Sequence, residues 1–257
     1  MKLSADYHTH TKYSHGKGSV LENAIVAKQK GLCEIGISDH GFSHPAFGLS
    51  SAKLTPLRRD CEEATSQTGV KVLMGIESNI IGTDGTTDLK QKHYDKFDIF
   101  LAGLHKLVLY KFGSMFSLGI PDLIYSTFKV KDVPQSLIDT NTKTFINVIK
   151  NNPVDIITHL NFCCYTNPVE VAKVARDYGT YIELNCKKVH LTDDELFAVA
   201  NTGVNFVIDS DAHSPDRVGE ISLIEQTLER VNIDRTRIMN IDGRIPDFRF
   251  KAFKEGR

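Results

Sequence analysis

Residues 5–15 read Ala5-Asp6-Tyr7-His8-Thr9-His10-Thr11-Lys12-Tyr13-Ser14-His15, a short β-type run followed at once by imidazoles. The device recurs along the chain. Asp39-His40 follows Cys33–Ser38, Glu77 closes Lys71–Glu77, and His105 follows Ile99–Leu104. His159 closes Asp155–His159, and Asp211-Ala212-His213 follows Asn205–Asp209. Tyr181–Asn185 is a further run of the same kind. The runs are rich in Ile, Val, Leu, Phe and Tyr, and most lack polar alternation. That is the signature of parallel strands buried on both faces.

Helical patterns separate the runs, and their ends are marked. Ser19-Val-Leu-Glu22 predicts a capping box for a helix that stops at Gly31. Thr55-Pro56 and Asn167-Pro168 read as an N-cap followed by proline in the first helical position, the latter helix ending near Gly179. Thr192-Asp-Asp-Glu195 predicts a second capping box, with its helix ending near Gly203. Further helices are expected over 134–151, 218–231 and 246–255.

This repeating β–α order fits an α/β barrel or an open doubly wound sheet. The polar groups decide between them, because they sit at the C-terminal ends of several different strands. A barrel gathers all those ends on one face, whereas an open sheet uses mainly one switch point. The expectation is a distorted (β/α)7 barrel of the TIM type, formed by residues 1–257 as a single domain, with a metal site at the C-terminal face. Residues 106–132 exceed a plain βα loop and are apolar, with Tyr110, Phe112, Met115, Phe116, Ile120, Tyr125 and Phe128. They read as an insertion: a lid, a contact with another subunit in a homo-oligomer, or extra helices on the rim.

Histidine and carboxylate are the preferred ligands of zinc and similar ions. His8 and His10, spaced i, i+2, point to one side of an extended strand, and Asp211 and His213 repeat that spacing. Any one such residue alone is more often a satisfied polar group or a helix cap. His8, His10, His15, His40, His105, His159 and His213 with Glu77 and Asp211 are too many for that explanation, and predict a multinuclear metallohydrolase. Asp39, Glu183 and Asn185 are candidates to orient the ligating imidazoles; Asp39 reads equally well as the cap of the following turn. Asp209 reads first as a structural hydrogen-bond acceptor. Lys17, Lys106, Lys187 and Arg217 lie near strand ends, and Lys106 and Arg217 are taken as substrate contacts. His44, His93 and His190 are read as structural or surface residues.

Composition narrows the partners. With 41% hydrophobic and 25% charged residues and a net charge of −1, nothing pulls the chain toward nucleic acid or an anionic membrane. The start shows no apolar signal segment, and no run is long enough to span a bilayer. Five cysteines without a CxxC spacing argue for a reducing compartment, so the expected location is the cytoplasm.

The segments DYHTHTKYSH, GISDHG, GIESNIIGTDG, LAGLH, IITHLN, IELN, SDAH and RIMNIDGRIPDF together resemble the PHP (polymerase and histidinol phosphatase) family, above all its stand-alone phosphatases. The likeness covers essentially the whole chain. It implies a distorted (β/α)7 barrel holding three divalent ions. His8, His10, Glu77 and Asp211 would hold the first. Glu77 would bridge to a second that also takes His105 and His159. His15, His40 and His213 would hold the third. Zinc suits this ligand set best, and manganese or iron also fit. The reading is a phosphatase of small phosphomonoesters. Hydroxide held by Glu77 and its two metals would be the nucleophile, with Asp39 and Glu183 behind it. A nuclease-like phosphodiesterase and a non-catalytic metal-dependent scaffold are the alternatives. Leu160-Asn-Phe-Cys-Cys164 stands where relatives often have a proline-glycine turn, and the long 106–132 segment also departs from the family pattern.

Overall fold

All seven apolar runs become strands, and they pair in parallel in the order of the sequence. The structure, a computed structural model, describes residues 1–128, 130 and 132–256. The strands are β1 (Ala5–Thr9), β2 (Glu34–Ile37), β3 (Lys71–Asn79), β4 (Ile99–Gly103), β5 (Ile156–Ile157), β6 (Tyr181–Asn185) and β7 (Phe206–Asp209). The helices are α1 (Val20–Gln29), α2 (Ser51–Thr68), α3 (Phe112–Ser114), α4 (Ile120–Thr127), α5 (Gln135–Asn151), α6 (Pro168–Tyr178), α7 (Asp193–Ala200), α8 (Ser222–Arg230) and α9 (Arg249–Lys254). Thr9, the last residue of β1, pairs with Ala212 beyond β7, with His10 N–H donating to Ala212 O at 2.8 Å, and this joins the last strand to the first. The result is the distorted (β/α)7, TIM-like barrel that the strand-end pattern predicts.

Strand parity places the site. Leu73, Leu101, Tyr181 and Val207 pack with Tyr7, Ile99 and Ile156 in one apolar cluster distinct from the strand–helix core. Stepping by twos from these residues reaches Glu77, His105, Glu183 and Asp211, so the same face is apolar at its base and polar at its C-terminal rim. β1 departs from strict alternation: its register with β2 shifts between Asp6 and Thr9. That irregularity lets Tyr7 join the apolar floor while the next residue, His8, joins the polar rim.

Both predicted capping boxes form, at Ser19/Glu22 and Thr192/Glu195, and Asn167 caps α6, which ends at Gly179 in the left-handed conformation. Thr55-Pro56 does not start its helix. Helix α2 begins at Ser51 and carries Pro56 inside it. Leu54, Leu57, Cys61, Ala64 and Thr68 form one buried stripe, and burying Leu54 draws the preceding turn into the helix despite the proline. Helix α8 starts four residues later than expected, at Ser222 rather than Val218, because Gly219 takes a φ of +66°. β5 is cut to Ile156–Ile157, and His159 beyond it has a φ of +27°.

The expected insertion at 106–132 is a loop followed by one continuous helical run: α3, a π turn over Met115–Gly119, and α4. Lys129 and Lys131, at its end, lie outside the described residues. Leu109 N–H donates to Ser43 O and Lys111 N–H to Ile81 O, so the run is tied to two neighbouring rim loops. No helix among the described residues is long and apolar enough to cross a membrane.

Candidate metal centre

Glu77, fully buried at the head of the barrel, is the hub of the site. Its Oε1 lies 2.7 Å from His159 Nε2, 3.0 Å from His105 Nε2 and 3.2 Å from His8 Nε2. Its Oε2 lies 2.9 Å from His40 Nδ1 and 3.7 Å from His10 Nε2. A second carboxylate stands beside it, with Asp211 Oδ1 3.5 Å from His10 Nε2 and 3.2 Å from His213 Nδ1. Burial opposes charge on both acids, yet both are held well below the usual carboxylate range. His105 and His8 do this for Glu77, and His8 and His10 for Asp211.

The donor set fits divalent ions. His40 Nδ1 and Glu77 Oε2 stand side by side, yet neither has a hydrogen-bond partner. His8 Nε2 and His10 Nε2 face each other at 3.1 Å. Buried polar atoms are normally paired. Lone pairs converging without partners are the arrangement that a cation satisfies. Four groups of possible ligand atoms are close enough to share an ion: His8/His10/Asp211, His8/Glu77/His159, His40/Glu77/His105 and His10/His40/His213. His15 belongs to none of these, but its ring stacks on His40 at 4.8 Å and meets His213 at 4.3 Å. All nine expected ligands therefore come together at one place, eight of them in these groups.

Protonation suits ligation in part. Burial and then His40 push His10 well below its ordinary value. Burial, His213 and His40 bring His15 down to about 4. Burial also opposes a charge on His8, but Glu77, Glu183 and Asp211 outweigh it and raise that imidazole. Metal binding there must displace a proton. Two of the expected ligands also hold strained backbone, His159 at φ +27° and Asp211 at φ +49°. Non-glycine residues in this region carry about 1–3 kcal/mol each and cluster at functional sites.

Glu183 Oε1 accepts from His8 Nδ1 at 2.6 Å, while Oε2 accepts from His159 N–H at 2.6 Å and Asn185 Nδ2 at 3.0 Å. Asn185 Nδ2 also donates to Asp211 Oδ2 at 3.3 Å. Glu183 and Asn185 thus hydrogen-bond residues of the expected ligand set. Asp39 takes neither expected role, because it reaches across to the loop after β1 instead of to an imidazole or the turn that follows it: it accepts from Thr11 N–H at 2.8 Å and from the hydroxyls of Thr11 and Ser14. It fixes the loop between His10 and His15 rather than any imidazole. Asp209 Oδ1 accepts from Tyr7 N–H at 2.6 Å, the structural reading.

Above the cluster opens a cavity of about 440 Å³, walled by Phe47, Phe162, His44 and His190 and rimmed by Lys106, Lys187 and Lys188. Lys106 is where the sequence put it. Arg217 is not: it lies in the exposed turn Pro215–Arg217 and lines no part of the cavity. Gly18 leaves room for Pro215, whose Cγ sits where a Cβ on residue 18 would stand. Lys17 is exposed and equally absent from the lining. Lys187 Nζ lies 3.2 Å from His213 Nδ1 and 3.5 Å from Asp211 Oδ1. His44 and His190, read from sequence as structural or surface residues, are wall residues, whereas His93 stacks on Phe42 away from the cavity. The signal for His44 was its place in His40-Gly-Phe-Ser-His44, one turn beyond a ligand; His190 has no local signal.

The family model described as PHP domain matches residues 6–187. A probable phosphatase of Thermoanaerobacter sp. (strain X514) is 31% identical over 96% of this chain and 95% of its own length. A probable phosphatase of Vibrio campbellii is 29% identical over 99% of this chain and 94% of its own. Among solved structures, histidinol phosphate phosphatase from Lactococcus lactis, in complex with zinc, L-histidinol and phosphate, shares the fold. It has a TM-score of 0.60 at 15% identity, over 96% of this chain and 99% of that one.

Proposed function

Because the chain belongs to the PHP domain family, we propose that it is a metal-dependent phosphatase acting on a small phosphomonoester, with residues 1–257 working as one barrel unit. The observation that carries this reading is Glu77, buried among five imidazoles with Oε2 unpartnered, at the foot of a cavity rimmed by lysines. The names of the relatives support it, as does the Lactococcus lactis phosphatase, which holds zinc and phosphate on the same fold.

In this reading three divalent ions, zinc foremost, are held by the nine ligands. His8, His10, Glu77 and Asp211 would hold one, and Glu77 with His105 and His159 would hold a second. His15, His40 and His213 would hold the third. Bound ions would supply an activated water and Lewis acidity toward the phosphoryl oxygens. The chain does the rest. Glu183 accepts a hydrogen bond from His8 Nδ1–H and leaves Nε2 directed at the cluster. Lys187 and Lys106 bring positive charge to the phosphate, with Lys187 in the place first given to Arg217. Phe47 and Phe162 shelter the leaving alcohol from water. Burial and then His159 bring His190 down to about 4, so it meets the substrate neutral at pH 7. The thiols are mostly buried and free, which suits the reducing cytoplasm.

The test is release of inorganic phosphate from a panel of sugar, alcohol and aryl monoesters by zinc-loaded protein, run beside a fluorogenic diester. Activity on monoesters that a chelator abolishes and zinc restores is expected. Turnover of the diester alone, or of neither, overturns the reading.

A further inference from the structure

The helical run at 112–128 has two unlike faces. Ser114, Leu118 and Asp122, four residues apart, are buried against the barrel. Phe112, Phe116, Ile120, Ile124 and Phe128, also four apart, point to solvent with exposures of 85%, 60%, 42%, 45% and 75%. In a plain α-helix a spacing of four drifts around the axis. The π turn at Met115–Gly119 slows the winding and keeps both rows in line. Phe112 and Phe116 already touch edge to face at 5.7 Å. Leu107 and Leu109, at 70% and 62% exposure, extend the patch along the preceding loop.

We propose that this stripe is a homodimer contact, with the 112–128 helix of one copy packed on that of a second copy across a two-fold axis. Two observations select a second copy. The first is size. A buried aromatic side chain covers about 150–250 Å², so these exposures leave roughly 800 Å² of apolar surface, the share per partner of a standard stable interface. That is more than a soluble monomer usually leaves open in one place. The second is charge. Between residues 107 and 128 the charged side chains are Lys111, paired with Asp84 at 2.6 Å, and Asp122, which is buried. Lys106, Lys129 and Lys131 flank it in the sequence, but the stripe itself offers no charge pattern for an unlike partner and no unpaired charge to meet its like across a symmetric contact. Because the run follows His105 and Lys106, dimerisation would brace one side of the cavity rim.

Sedimentation equilibrium of the full chain tests this. The wild type is expected to be a dimer at micromolar concentration. F112D combined with F116D should be a monomer with unchanged circular dichroism, since both side chains lie outside the core, and with a thermal midpoint that no longer depends on protein concentration as the wild type's does. A milder F112S/F116S pair should weaken the dimer at least tenfold without adding charge. A wild type that stays monomeric into the high micromolar range overturns the proposal, as does a dimer that survives both pairs. So does a monomer that co-sediments with phosphatidylcholine–phosphatidylserine vesicles through these residues, which would make the stripe a membrane contact.

Discussion

At the scale of single residues, Glu183 shows how a group that touches no ion governs the ones that would. One oxygen fixes the His8 tautomer and the other caps the strained His159 backbone. In Glu183→Gln one of those acceptors becomes an NH2 group facing an N–H. The barrel should persist, but zinc affinity should fall about 10–100-fold, the usual effect of losing such a supporting partner. Competition with a chromogenic chelator measures it, and unchanged affinity would show that His8 is oriented by something else. The expected ligands were legible because all but His15 close or directly follow an apolar run, and Glu183 because it lies on such a run itself. Lys187, Phe162 and His190 were less so. Their roles come from how loops fold over the cavity, which local spacing does not encode.

Among the elements, the strands were the most readable, since burial on both faces leaves an unbroken apolar run. Thr55-Pro56 misled because capping chemistry is local, whereas the burial of Leu54 that lengthens α2 is tertiary. In the 106–128 run the sequence showed apolar excess but not which side it faced. Asp122 fixes the inner side: it is buried in α4, and its Oδ1 accepts from Asn141 Nδ2 at 2.8 Å. Burial pushes its carboxyl from 3.8 up to about 7, and the Asn141 hydrogen bond offsets only part of this. Between about pH 4 and 7 the folded protein keeps a proton that the unfolded chain has released, so this group withdraws stability as pH rises through that window. Asp122→Asn removes the titration. In urea titrations the variant should gain on the wild type from pH 5 to pH 8, by about 1.4 kcal/mol for each unit of pKa crossed. A stability difference that does not change with pH would mean that Asp122 stays ionised in the fold.

For the whole molecule the decisive place is the seam where β7 meets β1, because those ends carry His8, His10 and Asp211. The C-terminal end of the seam is closed by backbone pairing of Thr9 with Ala212. Lower down, a side chain stitches the two strands: Asn240 Oδ1 accepts from Ile208 N–H at 2.9 Å, and its Nδ2 donates to Ala5 O at 2.9 Å and to Ile208 O at 2.7 Å. Ser4 N–H donates to Asn240 O at 2.8 Å, which ties the residue itself to the chain before β1. Asn240 thus stands in for strand pairing at the place where a seven-stranded ring has least of it. Asn240→Ala leaves Ile208 N–H and two carbonyls buried without these partners, a loss on the order of 2–4 kcal/mol. The urea midpoint should fall with an unchanged slope. Amide exchange should quicken in β1 and β7 before it does in β3 and β4, whose five-residue register is untouched. If exchange instead rose evenly around the barrel, the seam would be no weaker than any other strand pair, and the ligands on β1 and β7 would owe their alignment to the ring as a whole.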